Sequence, residues 1–202
     1  MKKEIPPEFL WHLNNVVLTF QIAIVTTIDD GGRVNAAPFG LVFPFCSSLE
    51  NPQMLVSSNS MWHTSQNIES TKEFVINYAP YSLIEKVAKT GLMYSDGVNE
   101  IDKAGLTAIP ALKVKPPRLE ECFQHIECRL NQIIRPNESQ NNFIGDVLSM
   151  SINEELLNKG REEMLKIADP LLLFGMDISR FQGNYAGVGK ATVYAPPKTE
   201  VE

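Results

Sequence analysis

The chain has 202 residues, 44% hydrophobic and 21% charged, a composition that fits an ordinary globular domain and excludes collagen-like, coiled-coil and disordered chains. Its 18 lysines and arginines against 24 aspartates and glutamates leave a net charge of −6, so neither a nucleic-acid nor a membrane partner is expected. No apolar run reaches membrane-spanning length, Met1-Lys2-Lys3 has no apolar signal core behind it, and Cys46, Cys122 and Cys128 are too few for a disulfide framework, so a cytoplasmic chain with reduced thiols is expected.

From Gln21 the run Ile22–Ile28 is short and β-branched and reads as a buried strand. Asp29-Asp30-Gly31-Gly32 supplies a tight turn into a second strand that begins at Arg33, giving a β-hairpin. Pro38 lacks a ladder donor and Gly40 tolerates unusual dihedrals, so Ala37-Pro38-Phe39-Gly40 is expected to leave regular pairing with its amides exposed. Strands follow over Leu41–Phe45 and, after the Asn51-Pro52 turn, over Gln53–Ser57.

The polar cluster Ser57-Ser58-Asn59-Ser60 presents hydroxyls and backbone N–H groups before a helix whose start is marked by His63 and Thr64 and which carries capping chemistry. Glu73–Tyr78 alternates as a strand. Leu83, Val87 and Ala88 place an amphipathic helix over Tyr81–Thr90, with Gly91 as its stop. Loops with a short helix near Glu100–Ala104 fill 93–117.

Glu121–Ile134 and Phe143–Ile152 read as the two long strands of a hairpin with a polar tip at Arg135–Asn142. Asn153–Ala168 is a charged helical stretch ended by Asp169-Pro170, and Leu171–Phe174 is a short apolar run. Strands cluster early and late without strict alternation with helices, which predicts a mainly β fold: an antiparallel barrel with covering helices, one domain over 1–202 with a tail at 191–202.

The familiar catalytic signatures are absent: there is no dinucleotide fingerprint, no Walker loop, no zincin helix and no nucleophile elbow. Gly187-Val188-Gly189-Lys190 resembles only a fragment of a phosphate loop. Cys122-x-x-His125-x-x-Cys128 has zinc-ligand residue types, but on a strand the cysteines share one face and His125 the other, so buried thiols are expected instead and no metal. Of His12, His63 and His125, only His63 sits beside a helix start, where it suits an anion.

Several segments form one constellation: Asn35-Ala36-Ala37-Pro38-Phe39-Gly40 at a strand end, Ser57-Ser58-Asn59 at another, His63-Thr64-x-x-Asn67-Ile68 opening a helix, and Glu73-Phe74-Val75-Ile76-Asn77 on the next strand. With Asp102-Lys103-Ala104-Gly105-Leu106, Ile126-Glu127-Cys128, Ile144-Gly145-Asp146-Val147 and Gly183-Asn184-Tyr185-Ala186, they resemble the flavin reductase-like, FMN-binding split-barrel family, which includes flavoredoxins and the reductase components of two-component monooxygenases. The resemblance covers about residues 15–190.

The resemblance implies a Greek-key split barrel and an oxidoreductase that moves a hydride between NADH or NADPH and FMN. It also implies a homodimer with each flavin near the interface, and a flavin-dependent oxygenase or other electron acceptor as partner. Its implied cofactor-binding residues are Ala37, Pro38, Phe39, Gly40, Ser57, Ser58, Asn59, His63, Thr64, Asn67, Asn77, Lys103 and Tyr185. No catalytic side chain is named, because the flavin carries the chemistry.

A phosphate held by amides and hydroxyls at a helix start needs few cations, which agrees with the acidic composition. Each residue also has an ordinary structural role open to it: a hairpin edge for Ala36–Gly40, a turn for Ser57–Asn59, a cap for Thr64, a structural amide for Asn77. Gly40 stands where many members of that family have Ser or Thr. This departure keeps a non-enzymatic flavin-binding electron carrier in view as the alternative, beside a split barrel that binds another planar cofactor such as haem or pyridoxal phosphate.

Overall fold

The computed structural model describes residues 18–95, 97–177 and 182–189 and positions 2, 4, 6 and 7, so His12, Lys190 and the tail at 191–202 lie outside the described residues. After the short strand β1 (Phe20–Gln21), the apolar run becomes β2 (Ala23–Ile28), buried at every position. Ala23 and Val25 enter one core with Phe74, Ile76 and Phe143, while Ile22 and Ile24 enter a second with Val87, Ile101 and Leu171. A strand covered on both faces has no need of polar alternation, which explains the continuous apolar run.

The turn holds Gly32 at φ 78°, and β3 (Val34–Phe39) returns along β2 in unbroken register from Val34↔Ile28 to Phe39↔Ala23. The segment 37–40 therefore stays paired through Phe39, contrary to expectation. The reason lies in the position of β3 at the sheet edge. The Ala36 amide faces outward to Glu100 (3.2 Å), so the Pro38 nitrogen two residues on faces the same unpaired side and no ladder bond is lost. Gly40 does not have a left-handed backbone; it is a matter of space, because a Cβ there would stand 3.3 Å from the Phe20 Cβ.

The chain continues through β4 (Val42–Cys46), β5 (Gln53–Asn59), α1 (His63–Thr71), β6 (Glu73–Tyr78), α2 (Ile84–Thr90) and α3 (Glu100–Ala104). Then follow β7 (Ala108–Ile109), β8 (Arg118–Leu119), β9 (Gln124–Asn137), β10 (Gln140–Ile152), α4 (Arg161–Ala168), β11 (Leu172–Asp177) and β12 (Gln182–Ala186). Seven strands make one antiparallel sheet in the order β3-β2-β6-β9-β10-β5-β4, curled around the first core and open between the edges β3 and β4. Strands β1, β11 and β12 form a smaller sheet, and α2 and α3 lay Val87, Ile101 and Ala104 over the second core.

Three local differences from the sequence reading have physical causes. β5 runs on to Asn59, so Ser57-Ser58-Asn59 is paired strand, opposite Asn142, Asn141 and Gln140. The hairpin is longer than expected because a register shift between Gln140 and Asn142 gives Arg135 and Pro136 a bulge, leaving Glu138 and Ser139 as the turn. Cys122 lies in the second core and Cys128 in the first, because the chain turns at Leu119–Cys122 before β9 begins; the two thiols do not share a face. Burial raises both thiols above the ordinary cysteine value. No helix among the described residues is long and apolar enough to cross a membrane.

Candidate functional site

Helix α1 starts without capping chemistry. Its N-cap is Trp62, in extended conformation and with no side-chain cap bond, and its first turn has no acidic residue. At the start of this nine-residue helix the positive end of its dipole is met by no side-chain cap and no acidic side chain of its first turn. A cleft of about 170 Å³ opens beside this helix, lined by His63, Gln66 and Asn67 of α1, Val34 and Asn35 of β3, Glu100 of α3, and the Asp29–Arg33 pair.

Behind the cleft lies a buried polar network. Asn67 donates from Nδ2 to the Thr27 hydroxyl (3.0 Å). In the orientation that satisfies both ends of its amide, Asn35 donates to Glu100 Oε1 (3.2 Å) and accepts from the Thr64 hydroxyl (3.1 Å). Glu100 Oε2 accepts from the Ala36 amide (3.2 Å). Burial raises the Glu100 carboxyl above the ordinary carboxylate value, against the opposing effect of its backbone N–H donors and of nearby His63. The network ties the edge strand β3 to the first turn of α1.

The sequence-predicted residues divide into three groups. His63, Thr64 and Asn67 gather at the helix start, with Ser57, Ser58 and Asn59 directly before it. The serines are not free donors: Ser57 donates to Asn142 Oδ1 (2.6 Å) and accepts from Gln140 Nε2 (2.6 Å), while Ser58 Oγ stands 2.8 Å from Ser65 Oγ. Asn59 Oδ1 accepts from the Met61 amide (2.9 Å), which shapes the turn into α1. Ala37 and Pro38 are half-buried on β3, whereas Phe39 puts its ring into the first core, 6.0 Å from the Trp62 ring.

Asn77, Lys103 and Tyr185 are not part of this group. Asn77 is fully buried and its amide is used up inside the barrel, by donation to the Ile24 carbonyl (3.0 Å) and acceptance from the Leu119 amide (3.0 Å). Lys103 is exposed on α3 and does not line the cleft. Tyr185 belongs to β12 in the smaller sheet, opposite Leu173, where burial raises its hydroxyl above the ordinary tyrosine value.

Sequence reasoning missed Glu100. The only signal was its place at the start of a short helix after Asn99, whose side chain caps that helix, and nothing in the pattern marks a carboxylate as buried. The Gly187-Val188-Gly189 run already holds an anion of the chain's own: the Val188 amide donates to Asp169 Oδ1 (3.0 Å), and a Cβ at Gly187 would collide with that carboxylate. Among the described residues no group of His, Cys, Asp or Glu side chains is arranged to hold a metal ion.

Residues 17–180 match the family model described as flavin reductase like domain. An uncharacterized protein of Methanothermobacter thermautotrophicus is 33% identical over 159 residues, covering 76% of this chain and 73% of the relative. Among solved structures, nitrilotriacetate monooxygenase component B from Bacillus cereus superposes with a TM-score of 0.83 at 22% identity, over 96% of this chain and 99% of that one. Flavoredoxin of Desulfovibrio vulgaris gives a TM-score of 0.78 at 21% identity, over 98% and 99%. A Shewanella frigidimarina protein described with a split barrel domain gives 0.78 at 18% identity, over 95% and 94%. At these identities the structural likeness is one of fold, and the fold is the split barrel.

Proposed function

The chain belongs to the flavin reductase-like family, and on that premise we propose that it is an FMN-binding oxidoreductase that takes a hydride from NADH or NADPH. The observation that carries the reading is the start of α1: uncapped by any side chain, free of acidic residues in its first turn, and set beside buried Asn35, Thr64 and Asn67. A helix start with no side-chain cap, beside polar side chains, fits a phosphate monoester on the end of a polyol chain. FMN, when bound, supplies the electron chemistry through N5 of its ring.

The residues of the chain bind, orient and exclude water. The α1 amides and the His63 side chain would hold the phosphate, Asn67 and Gln66 the polyol, and the small, half-buried Ala37–Pro38 segment of β3 would border the ring, with Trp62 beside it. Ser57, Ser58 and Asn59 act one step back, by fixing the turn from which α1 departs. No side chain is assigned as acid or base.

A homodimer is part of the same proposal. On β4, Phe43 and Phe45 are 45% and 49% exposed, and Met61 and Trp62 before α1 are 76% and 52% exposed. Large apolar side chains around a site are a surface that a second subunit would cover. A flavin-dependent oxygenase is the acceptor best supported by the likeness to component B of a monooxygenase.

Fluorescence titration with FMN and riboflavin tests the reading. FMN should bind at least about tenfold more tightly, the effect of about 1.5 kcal/mol from hydrogen bonds to a charged group. Equal affinities would remove the phosphate site at α1. The electron-carrier alternative rests on Gly40, which has no hydroxyl and whose space is bounded by Phe20. NAD(P)H oxidation no faster than with free FMN, together with tight FMN binding, would favour it.

A further inference from the structure

His125 stands on the face of β9 opposite to Ile126 and Cys128, which enter the first core. It is buried there with both ring nitrogens engaged. Nε2 lies 2.7 Å from the Leu119 carbonyl, and Nδ1 lies 2.9 Å from the Oγ of Ser151, its direct partner across the β9–β10 pair. A carbonyl only accepts, so Nε2 carries the N–H of the ring. Burial holds the imidazole below the ordinary histidine value and so neutral at pH 7, which leaves Nδ1 with a bare lone pair. The Ser151 hydroxyl therefore donates to Nδ1 and turns its own lone pairs elsewhere.

A hydroxyl within hydrogen-bond reach of a neutral base, with that base held in one tautomer by a third group, is the arrangement of an activated nucleophile. It is also open to approach. Strand β10 pairs with β5 only as far as Asp146, and the Val147 amide meets the Pro52 carbonyl, so from Leu148 to Ile152 β10 is a free edge among the described residues. Ser151 is half-buried on that edge. Ser149, next on the same face, has a different partner: its Oγ lies 3.5 Å from Arg118 Nη2, a cation that takes no proton.

We propose that Ser151 is a site of covalent acylation, with His125 as its general base and activated acyl esters, aryl or thio, as the donors. Both residues lie outside the cleft beside α1, so this site stands apart from the flavin reading.

The step balances without any redox partner. Ser151 Oγ attacks the carbonyl carbon while its proton passes to His125 Nδ1; the bond from that carbon to the leaving oxygen or sulfur breaks, and the leaving group departs with the proton returned from Nδ1. The products are an ester on Ser151 and a free phenol or thiol. The imidazolium formed in passing is favoured by Glu127, on the same face of β9, and opposed by Arg118 of β8. Asn77 of β6, the partner of His125 on its other side, is neutral.

The test is incubation with p-nitrophenyl acetate, with acetyl groups located and timed by peptide mass mapping. Ser151 should be acetylated at least about a hundredfold faster than Ser149, the low end of what a positioned base contributes. Its rate should rise with pH through the lowered His125 value and level off by neutrality, whereas acetylation of lysines keeps climbing into the alkaline range. Ser151→Ala should remove the fast label and leave FMN binding unchanged, and a folded His125→Gln should slow Ser151 to about the rate of Ser149. Should the His125 variant not fold, the Ser151-to-Ser149 ratio and the pH profile of the wild type still decide. Label on lysines with Ser151 unmodified, equal rates at the two serines, a Ser151 rate that does not level off, or an unchanged rate in folded His125→Gln overturns the proposal and leaves the pair a cross-strand tie.

Discussion

At the scale of single residues, the structure separates side chains that line the cleft from side chains committed to partners inside the barrel. Asn77 is the clearest of the second kind. It sits fully buried between the Ile24 carbonyl and the Leu119 amide, so Asn77→Ala leaves backbone groups unpartnered in the core and should cost about 3 kcal/mol in urea unfolding. The FMN-to-riboflavin preference of that variant should be unchanged; a lost preference at full stability would restore Asn77 to the binding site. Gly40→Ser is a test of space rather than chemistry. A Cβ at 3.3 Å from Phe20 forces a shift of a few tenths of an ångström, an overpacking that should cost about 1 kcal/mol, and an unchanged unfolding midpoint would contradict the tight contact.

At the scale of elements, the proline-bearing segment between α3 and β9 has little regular structure of its own and is strapped to the sheet by side chains. Glu127 of β9, fully buried, accepts from the Leu112 and Lys113 amides (2.9 and 2.6 Å) and pairs with Arg118, while His125 Nε2 meets the Leu119 carbonyl (2.7 Å) and Glu73 takes the Lys115 amide (2.9 Å). Burial raises the Glu127 carboxyl, but these N–H donors and Arg118 outweigh it, and the net value is lowered. A depressed carboxylate contributes stability above its unfolded value of about 4.3, and that stability is lost as pH falls through the lower folded value. Glu127→Gln should lower stability at neutral pH by about 3 kcal/mol, since it leaves Arg118 buried without its charge, and should flatten the acid limb of the stability curve. An acid limb as steep as that of wild type would contradict the strap.

The same scale shows what could be read beforehand. The strand Ala23–Ile28, the Asp29–Gly32 turn and the helix Ile84–Thr90, preceded by a 3-10 turn over Tyr81–Leu83, were legible to within a few residues because apolar period and turn chemistry are local. The pairing of Ala37–Phe39 was not, because whether a proline breaks a strand depends on which strand lies at the edge, a property of the whole sheet. Nor was the role of Thr64: the helix start was visible, but not that Trp62 would be its N-cap and that Glu100, thirty-odd residues on in the chain, would reach the same spot through Asn35. The place of Asn77 inside the barrel was hidden for the same reason, since a buried amide and a ligand-binding amide have one spelling.

At the scale of the whole molecule, a net charge of −6 agrees with the proposed phosphate site if amides rather than cations hold the phosphate, and the start of α1, without a side-chain cap, is where that proposal puts it. The exposed apolar side chains on β4 are the counterpart for assembly. Pro44 between Phe43 and Phe45 denies the edge to strand addition, so association would go through the side chains. Sedimentation should find a dimer, and replacing both phenylalanines with glutamate should give a folded monomer with weakened FMN binding; a wild-type monomer at working concentration would contradict this.

The central claim, that this split barrel binds FMN and passes electrons to it from a nicotinamide, is tested most directly by mixing the FMN-loaded protein with NADH or NADPH in the absence of oxygen and following the visible flavin absorption. Bleaching faster than that of free FMN at the same concentration is expected with at least one of the two nicotinamides. Bleaching at the rate of free FMN with both would contradict it.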